Sequence, residues 1–322
     1  QLADAAAPDA VRRMCAKAGI AAGTIDLPPT RISQVWVGST PEQILEDILA
    51  ICSAETGLTY RRRVREGALQ VGPLPTVPII AYHKPAENLG AFDITLAPVS
   101  SAWGFTEDTY RVPEDAELAL LLPCVGAEHV HLEEGTAVSL DQGTRIDLGA
   151  IAKGYASDWM AAIYQEHGIT HGIVDLGGNT WVCGGNLEGE PWQIGIQDPA
   201  RSAGALAGIL EASDAFAVTS GGYQRYFEDN GRTYHHIIDP RTGTPADSGI
   251  ISSTIISHDG TLADGLSTSL FIMGVDDALD YWRAHSDEFD AILMDENGTV
   301  YVTDGIADRC SLLEDRKMQV VR

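Results

Sequence analysis

Glu296-Asn297-Gly298 lies between two short apolar runs, 289–294 (FDAILM) and 299–303 (TVYVT), and turns the chain back on itself. Asn-Gly between such runs is a strong hairpin signal, because both residues tolerate positive φ. Asp141-Gln142-Gly143 offers a second return of the same kind. Such turns commit the neighbouring strands to antiparallel pairing. From Gly90 to the C-terminus, short strands alternate with helices and Gly-rich turns. Strands are expected at 128–133, 136–140, 171–175, 192–196, 208–213, 215–219, 233–238, 250–257, 289–294 and 299–303. Helices are expected at 113–122, 151–166, 261–273 and 276–284. The fold class that follows is α+β, with a mixed, mainly antiparallel sheet and packed helices.

The first 89 residues have a different texture. Residues 1–30 are Ala-rich and end in Pro28-Pro29. Residues 31–37 (RISQVWV) alternate like a strand, and Thr40-Pro41-Glu42-Gln43 reads as a helix start with an N-cap, a first-position proline and a capping-box glutamine. Ile44, Leu45, Ile48, Leu49 and Cys52 follow at helical spacing, and Gly57 ends the helix. A hairpin over 58–64 and 68–72 completes a small βαββ module at 31–75. Its Arg61-Arg62-Arg63-Val64-Arg65 run reads as a charged strand face. Residues 76–89, with Pro78 and Pro85, read as a linker to a larger domain at 90–322.

With Lys+Arg 21 against Asp+Glu 46, the net charge is −25. That excludes a general nucleic-acid binder, which needs a basic face, and a basic membrane-surface helix. No apolar run reaches the length of a membrane span. In so acidic a chain, an anion needs a local positive source: a basic side chain, a helix N-terminus or a metal. Lys153 is the sole lysine between positions 85 and 316. Cys15, Cys52, Cys124, Cys183 and Cys310 are widely spaced and contain no CxxC, which argues against zinc and assigns no disulfide. The chain opens on Gln1, an opening compatible with a removed leader.

Five segments carry groups suited to chemistry. Asp147-Leu148-Gly149-Ala150-Ile151-Ala152-Lys153-Gly154-Tyr155 reads as a strand (Thr144 to Asp147) turning through glycine into a helix. Its free amides and its lysine suit a phosphate; a plain helix cap with a snorkelling lysine is the alternative. Asp175-Leu176-Gly177-Gly178-Asn179 is a tight turn or a place where backbone approaches a ligand. Thr219-Ser220-Gly221-Gly222-Tyr223, taken alone, is a turn after the strand 215–219. Tyr234 to Pro245 places His235 and His236 on one strand, hence on opposite faces, ahead of an Asp239-Pro240-Arg241-Thr242-Gly243 turn. A histidine there is a general base or a hydrogen-bonded structural residue. Asp264 and Thr268 share a helix face; with a backbone carbonyl they form an oxygen-only set for a hard cation such as Mg²⁺, or an i,i+4 polar pair.

In this order, the segments resemble the FAD:protein FMN transferases, or ApbE-like flavin transferases. The likeness begins at Gly90-Ala91-Phe92-Asp93-Ile94-Thr95 and Trp103-Gly104-Phe105. It continues through 147–155, 175–179, 219–226 and 236–245 and ends at 263–274, about two thirds of the chain. The resemblance implies transfer of FMN from FAD, with Mg²⁺, to a Thr or Ser hydroxyl of an acceptor flavoprotein domain of an electron-transfer system, releasing AMP. It implies an extracytoplasmic enzyme, exported or membrane-tethered. It makes Ala150 (carbonyl), Asp264 and Thr268 the metal ligands and His236 the general base. Lys153 would hold a phosphate or order the metal-site carboxylates, and Asp239 would orient the loop or His236. Asp93, Thr95, Asp147, Gly178, Ser220, Gly221, Tyr223 and Thr242 would bind FAD. The Ser-Glu-Leu and Leu-Asn pattern usual at the start of the family is absent from residues 1–89. FAD pyrophosphatase activity and non-catalytic flavin binding are the alternatives.

Overall fold

The computed structural model describes residues 5–32, 41–56, 60–65, 68–73, 90–132, 138–201, 204–313 and 316–322. The chain divides into two compact units, Gln1–Val77 with His131–Ser139, and Pro78–Val130 with Leu140–Arg322. The expected linker at 76–89, the strand residues 33–37, Thr40, Gly57 and the turn Glu66-Gly67 lie outside the described residues.

In the first unit, helix α1 (Ala7–Ala18) buries Ala7, Ala10, Val11, Met14 and Cys15, a spacing that lines one helix face. Gly19, left-handed at φ 68°, ends it. That face shares a core with Leu45, Ile48 and Cys52 of α2 (Pro41–Thr56) and with Ile25 of β1 (Ala21–Ile25). The Ala-rich segment therefore carries a helix and a strand of its own. Strand β2 (Tyr60–Arg65) pairs antiparallel with β3 (Ala68–Pro73), which also pairs parallel with β1.

In the second unit, α3 (Ala97–Ala102) and α4 (Asp115–Leu121) precede α5 (Ala152–Glu166). Strands β4 (Gly172–Asp175), β5 (Asn179–Cys183), β6 (Trp192–Gln197), β7 (Leu206–Ala212), β8 (Ala215–Gly221), β9 (Tyr226–Asp229), β10 (Arg232–His235) and β11 (Ile250–Ser257) follow. Then come α6 (Gly260–Met273), α7 (Val275–Ala284), β12 (Phe289–Asp295), β13 (Thr299–Thr303), β14 (Cys310–Leu312) and β15 (Lys317–Val321). A seven-stranded sheet runs in the order β15-β13-β12-β11-β8-β5-β4, antiparallel except where β15 joins β13. A second sheet runs β6-β7-β14.

The two-residue period of a strand sends its side chains to two different cores. Phe216, Val218, Ile255, Ala291 and Leu293 face the helices α5 and α6. Ala215, Ala217, Ile256, Ile292 and Met294 face Ile196, Leu210 and Cys310 of the second sheet. A third cluster joins Trp103, Phe105, Leu118 and Ile238. In it, Phe227 stacks between Tyr110 (5.4 Å) and Tyr234 (5.3 Å), and the Trp103 indole N–H donates to the Gly243 carbonyl at 2.8 Å. This packing fastens the β9–β10 hairpin and the turn after it to the segment 97–110.

Helix α6 is buried along almost its whole length, Leu262 and Thr268 excepted. Almost none of it meets open solvent, and its polar residues, Asp264 and Thr268 among them, lie within the protein. Its N-terminal amides are taken by two carboxylates: Asp259 accepts from Leu262 N at 2.7 Å, and Asp158 of α5 accepts from Gly260 N (2.7 Å) and Thr261 N (2.8 Å). In return, Asp264 of α6 accepts from Gly154 N in the first turn of α5, at 2.7 Å. The two helices touch where they exchange these bonds.

Several elements differ from expectation. The strand 215–219 continues to Gly221, because Thr219, Ser220 and Gly221 pair with Thr254, Ser253 and Ser252; a 3₁₀ turn follows. The strand expected at 233–238 is two, Arg232–His235 and Ile238–Asp239. There the backbone changes partner: His236 N donates to Arg225 O, while Ile237 O accepts from Ala246 N. No strand forms at Thr144 to Asp147, where a single bridge joins Arg145 to Leu96. Strands β5, β9, β14 and β15 and helix α3 are additional. Cys15, Cys124, Cys183 and Cys310 are free thiols.

A methyl group at Gly154 would sit 2.2 Å from the Gly260 carbonyl oxygen and 2.7 Å from Asp264 Cβ. Gly154→Ala is expected to lower stability by about 1–3 kcal/mol through overpacking, read from the urea midpoint. Gly265→Ala, with open space around its Cβ position, is the control and should not destabilise.

Candidate functional site

The start of α5 is built by a local turn. Asp147 N donates to Ile94 O at 2.7 Å, and Asp147 Oδ1 accepts from Gly149 N at 2.7 Å. The chain then turns through Gly149 and Ala150 into the helix, with Lys153 and Gly154 in its first turn. The amides expected to serve a phosphate are partly committed here, since Gly154 N already serves Asp264. Lys153 Nζ donates to Gly177 O at 3.2 Å, which bridges the helix to the β4–β5 turn.

Asp264 is 4% exposed. Burial raises its pKa to about 6, against the lowering effects of the Gly154 amide and the Lys153 charge. One turn on, Thr268 Oγ1 lies 3.2 Å from Ser220 Oγ, which also bonds Ser267 Oγ at 2.7 Å. The carboxylate and hydroxyl are thus set in the wall of the core rather than on an open helix face.

His236 follows the end of β10. Its Nδ1 lies 3.1 Å from the Arg225 carbonyl. A carbonyl only accepts, so Nδ1 carries the proton and Nε2 is left with its lone pair. Burial, chiefly, lowers its pKa to about 4, helped by the charges of Arg225 and Lys153. The ring is neutral at pH 7 and meets Phe105 edge-on at 6.4 Å.

These groups share one cavity of about 530 Å³. Of the residues singled out by sequence, Asp93, Asp147, Ala150, Lys153, Ser220, His236, Asp264 and Thr268 line it. Phe92, Phe105, Gln224 and Arg225 also line it. The aromatic pair sits inside segments that carried the family likeness without being given a role, and Arg225 lies in 219–226. A reading for charge within that segment would have found the arginine.

The others stand behind the cavity wall or away from it. Thr95, fully buried, donates through N (2.8 Å) and Oγ1 (2.5 Å) to Asp93 Oδ1 and so holds that carboxylate. Gly178, left-handed at φ 89°, shapes the β4–β5 turn. Gly221 makes room for Tyr223, whose ring would lie 2.2 Å from a Cβ there. Tyr223 itself lines a different cavity of about 530 Å³, with His235 and Phe271. The two histidines therefore do serve opposite sides. Asp239 grips Arg241 (2.7 and 2.9 Å) and caps the 239–243 turn. The partner of His236 Nδ1 is the Arg225 carbonyl, not Asp239, which acts on the loop. Thr242 Oγ1 bonds Thr244 Oγ1 at 2.9 Å on the exposed side of that turn.

A family model described as "ApbE family" matches residues 81–293. An FAD:protein FMN transferase of Klebsiella pneumoniae is 35% identical over 262 residues, covering 80% of this chain and 81% of the relative. One of Vibrio cholerae is 37% identical over 187 residues, covering 58% of this chain and 56% of the relative, so this chain spans little more than half of that protein's length. The crystal structure of an ApbE protein from Thermotoga maritima superposes with a TM-score of 0.64 at 33% identity, over 71% of this chain and 77% of that one. The flavin transferase ApbE from Vibrio cholerae does so with a TM-score of 0.59 at 33% identity, over 67% of this chain and 68% of that one. The matched residues contain every group that lines the cavity, and this chain belongs to the ApbE family.

Proposed function

We propose that this chain transfers the FMN part of FAD to a Thr or Ser hydroxyl of an acceptor flavoprotein and releases AMP. One observation carries the reading: Lys153, Ser220, His236, Asp264 and Thr268, drawn from separate segments, meet in a single cavity. Its family supports the same reading, since the relatives named above are FAD:protein FMN transferases. In the reaction, the acceptor oxygen bonds to the FMN-side phosphorus as the bridge to the AMP phosphate breaks. The hydroxyl proton passes to His236 Nε2, and AMP leaves with the bridging electron pair. Such a base contributes roughly 10²–10⁴ in rate. Lys153 supplies positive charge between the phosphate and Asp264, and Asp93, held by Thr95, faces the ligand.

The donor set fits a divalent cation. Asp264 offers a buried carboxylate, Thr268 a hydroxyl on the same helix face and Ala150 a carbonyl lining the same cavity. Among the described residues no group of three or more His, Cys, Asp or Glu gathers as a metal site. An oxygen set this sparse suits Mg²⁺, which keeps waters and shares substrate phosphates. When bound there, the cation offsets the charge of the pyrophosphate and of the leaving AMP. An extracytoplasmic location, a membrane tether and acceptors in electron-transfer systems belong to the same proposal and rest on family resemblance. Among the described residues no helix is long and apolar enough to cross a membrane.

Mass spectrometry after incubation with FAD, Mg²⁺ and an acceptor domain bearing the target threonine tests the reaction. The expected product is an acceptor heavier by FMN less one water, with AMP. Free FMN and AMP alone would make the chain a pyrophosphatase, and bound, uncleaved FAD would make it a carrier. Asp264→Asn keeps an oxygen for the Gly154 amide, so it should leave the urea midpoint near the parent's while abolishing Mg²⁺-dependent turnover. Retained turnover would remove Asp264 from the metal site.

The pH profile tests His236. Its pKa, lowered from 6.5 to about 4, leaves it unprotonated and competent above that value. At saturating Mg²⁺, where the cation would keep Asp264 ionised despite its raised pKa, the acid limb of kcat/KM should fall near pH 4 rather than 6.5, and His236→Gln should slow transfer by about 10²–10⁴ with little change in FAD affinity. A limb at 6.5 or above, or equal loss of binding, would overturn the assignment.

A further inference from the structure

Three carboxylates, Asp93, Asp147 and Asp264, line the cavity, against two fixed cations, Lys153 and Arg225. Lys153 is committed to the inner side: its charge acts on both Asp264 and His236, and its ammonium holds Gly177 O. Arg225 is the other cation. Its backbone is fixed, because both N and Nδ1 of His236 lie on its carbonyl (3.0 and 3.1 Å). Among the described residues its guanidinium makes one charged contact, Nη2 to Asp108 Oδ1 at 3.0 Å, with side-chain exposures of 41% and 72%. Ion pairs this exposed hold weakly.

Asp108 belongs to the loop 104–109, which is closed by Thr109 N on Gly104 O at 3.0 Å and which places Phe105 and Thr106 in the cavity wall. Asp108 is itself left-handed at φ 54° and also accepts from Tyr110 OH at 2.8 Å. The carboxylate is thereby held against the arginine by its own loop. A guanidinium carries five donors in a planar fork that matches a phosphate bidentately, and Asp108 engages one nitrogen of it. A diphosphate entering the cavity brings more charge and more acceptor oxygens than the aspartate offers.

We propose that Arg225 binds a phosphate of the incoming dinucleotide, and that Asp108 holds its guanidinium at the cavity until that phosphate replaces the carboxylate. The inference rests on the flavin-dinucleotide reading above and adds the group that recognises the diphosphate from the His236 side. It makes Asp108 a competitor of the substrate, so removing its charge strengthens binding. Replacing Arg225 leaves in place the carbonyl that fixes His236.

Titration of the full-length chain with FAD and with riboflavin, in the presence of Mg²⁺ and followed by flavin fluorescence, tests this, with calorimetry on inorganic pyrophosphate alongside. Arg225→Ala should weaken FAD and pyrophosphate by tenfold or more and leave riboflavin unchanged. Arg225→Lys should recover part of the loss. Asp108→Asn should tighten FAD severalfold without moving riboflavin. Equal losses for FAD and riboflavin in Arg225→Ala, or weaker FAD binding in Asp108→Asn, would overturn the proposal and make the pair a strut of the loop. If the parent binds pyrophosphate through Arg225 but not FAD, the phosphate role stands and the flavin reading falls. If it binds neither, both fall.

Discussion

Two helices of the larger unit trade carboxylates. Asp158 of α5 satisfies the first amides of α6, and Asp264 of α6 satisfies an amide in the first turn of α5. Each helix end buried without a partner would leave costly orphan donors; here each supplies the acceptor the other lacks. The exchange requires close approach, and Gly154 and Gly260 permit it, since a Cβ on either would collide with its surroundings. It also draws a carboxylate into the core with its pKa raised to about 6. The bond that locks the helices thus places the carboxylate that the proposed metal site would use. The sheet beneath and the aromatic cluster beside it then bring Ser220 and His236 to the same wall.

The acidity of the chain gives this wall its character. With a net charge of −25, the local field must be reversed for a nucleotide phosphate to enter. Lys153 and Arg225 line the cavity, and in the proposed reaction a cation at the oxygen set would add to their charge. In the proposed reaction a neutral His236 would complement them, because a protonated ring could not accept the hydroxyl proton.

Much of this was legible along the chain. Hairpin returns such as Glu296-Asn297-Gly298 announced the antiparallel sheet, and the helices at 152–166 and 260–273 were found within a residue of their ends. The Asp264/Thr268 pair and His236, which line one cavity, could be singled out because each stands within a local motif. Other features depend on distant partners and left no local trace. Thr219-Ser220-Gly221 has turn-like composition and becomes strand only by pairing with 252–254. The histidine run looks like one strand, yet its backbone changes neighbours between His235 and Ile238. Tyr223 and Asp239 sit beside site residues in sequence, but one turns to another cavity and the other to its own loop. Arg225 shows its charge locally, but its pairing with Asp108, 117 residues away, does not show.

Helix α6, enclosed on nearly every side, has a consequence for how such a protein can diversify. Its groups are cemented into the interior, so drift among its residues is restrained by packing from all directions. The rim is less enclosed: Phe105 and Gly243 are anchored in the aromatic cluster, but Thr106–Thr109, Arg241 and Thr242 are exposed. Descendants of this chain could rewrite those exposed rim positions while inheriting the enclosed cavity floor unaltered.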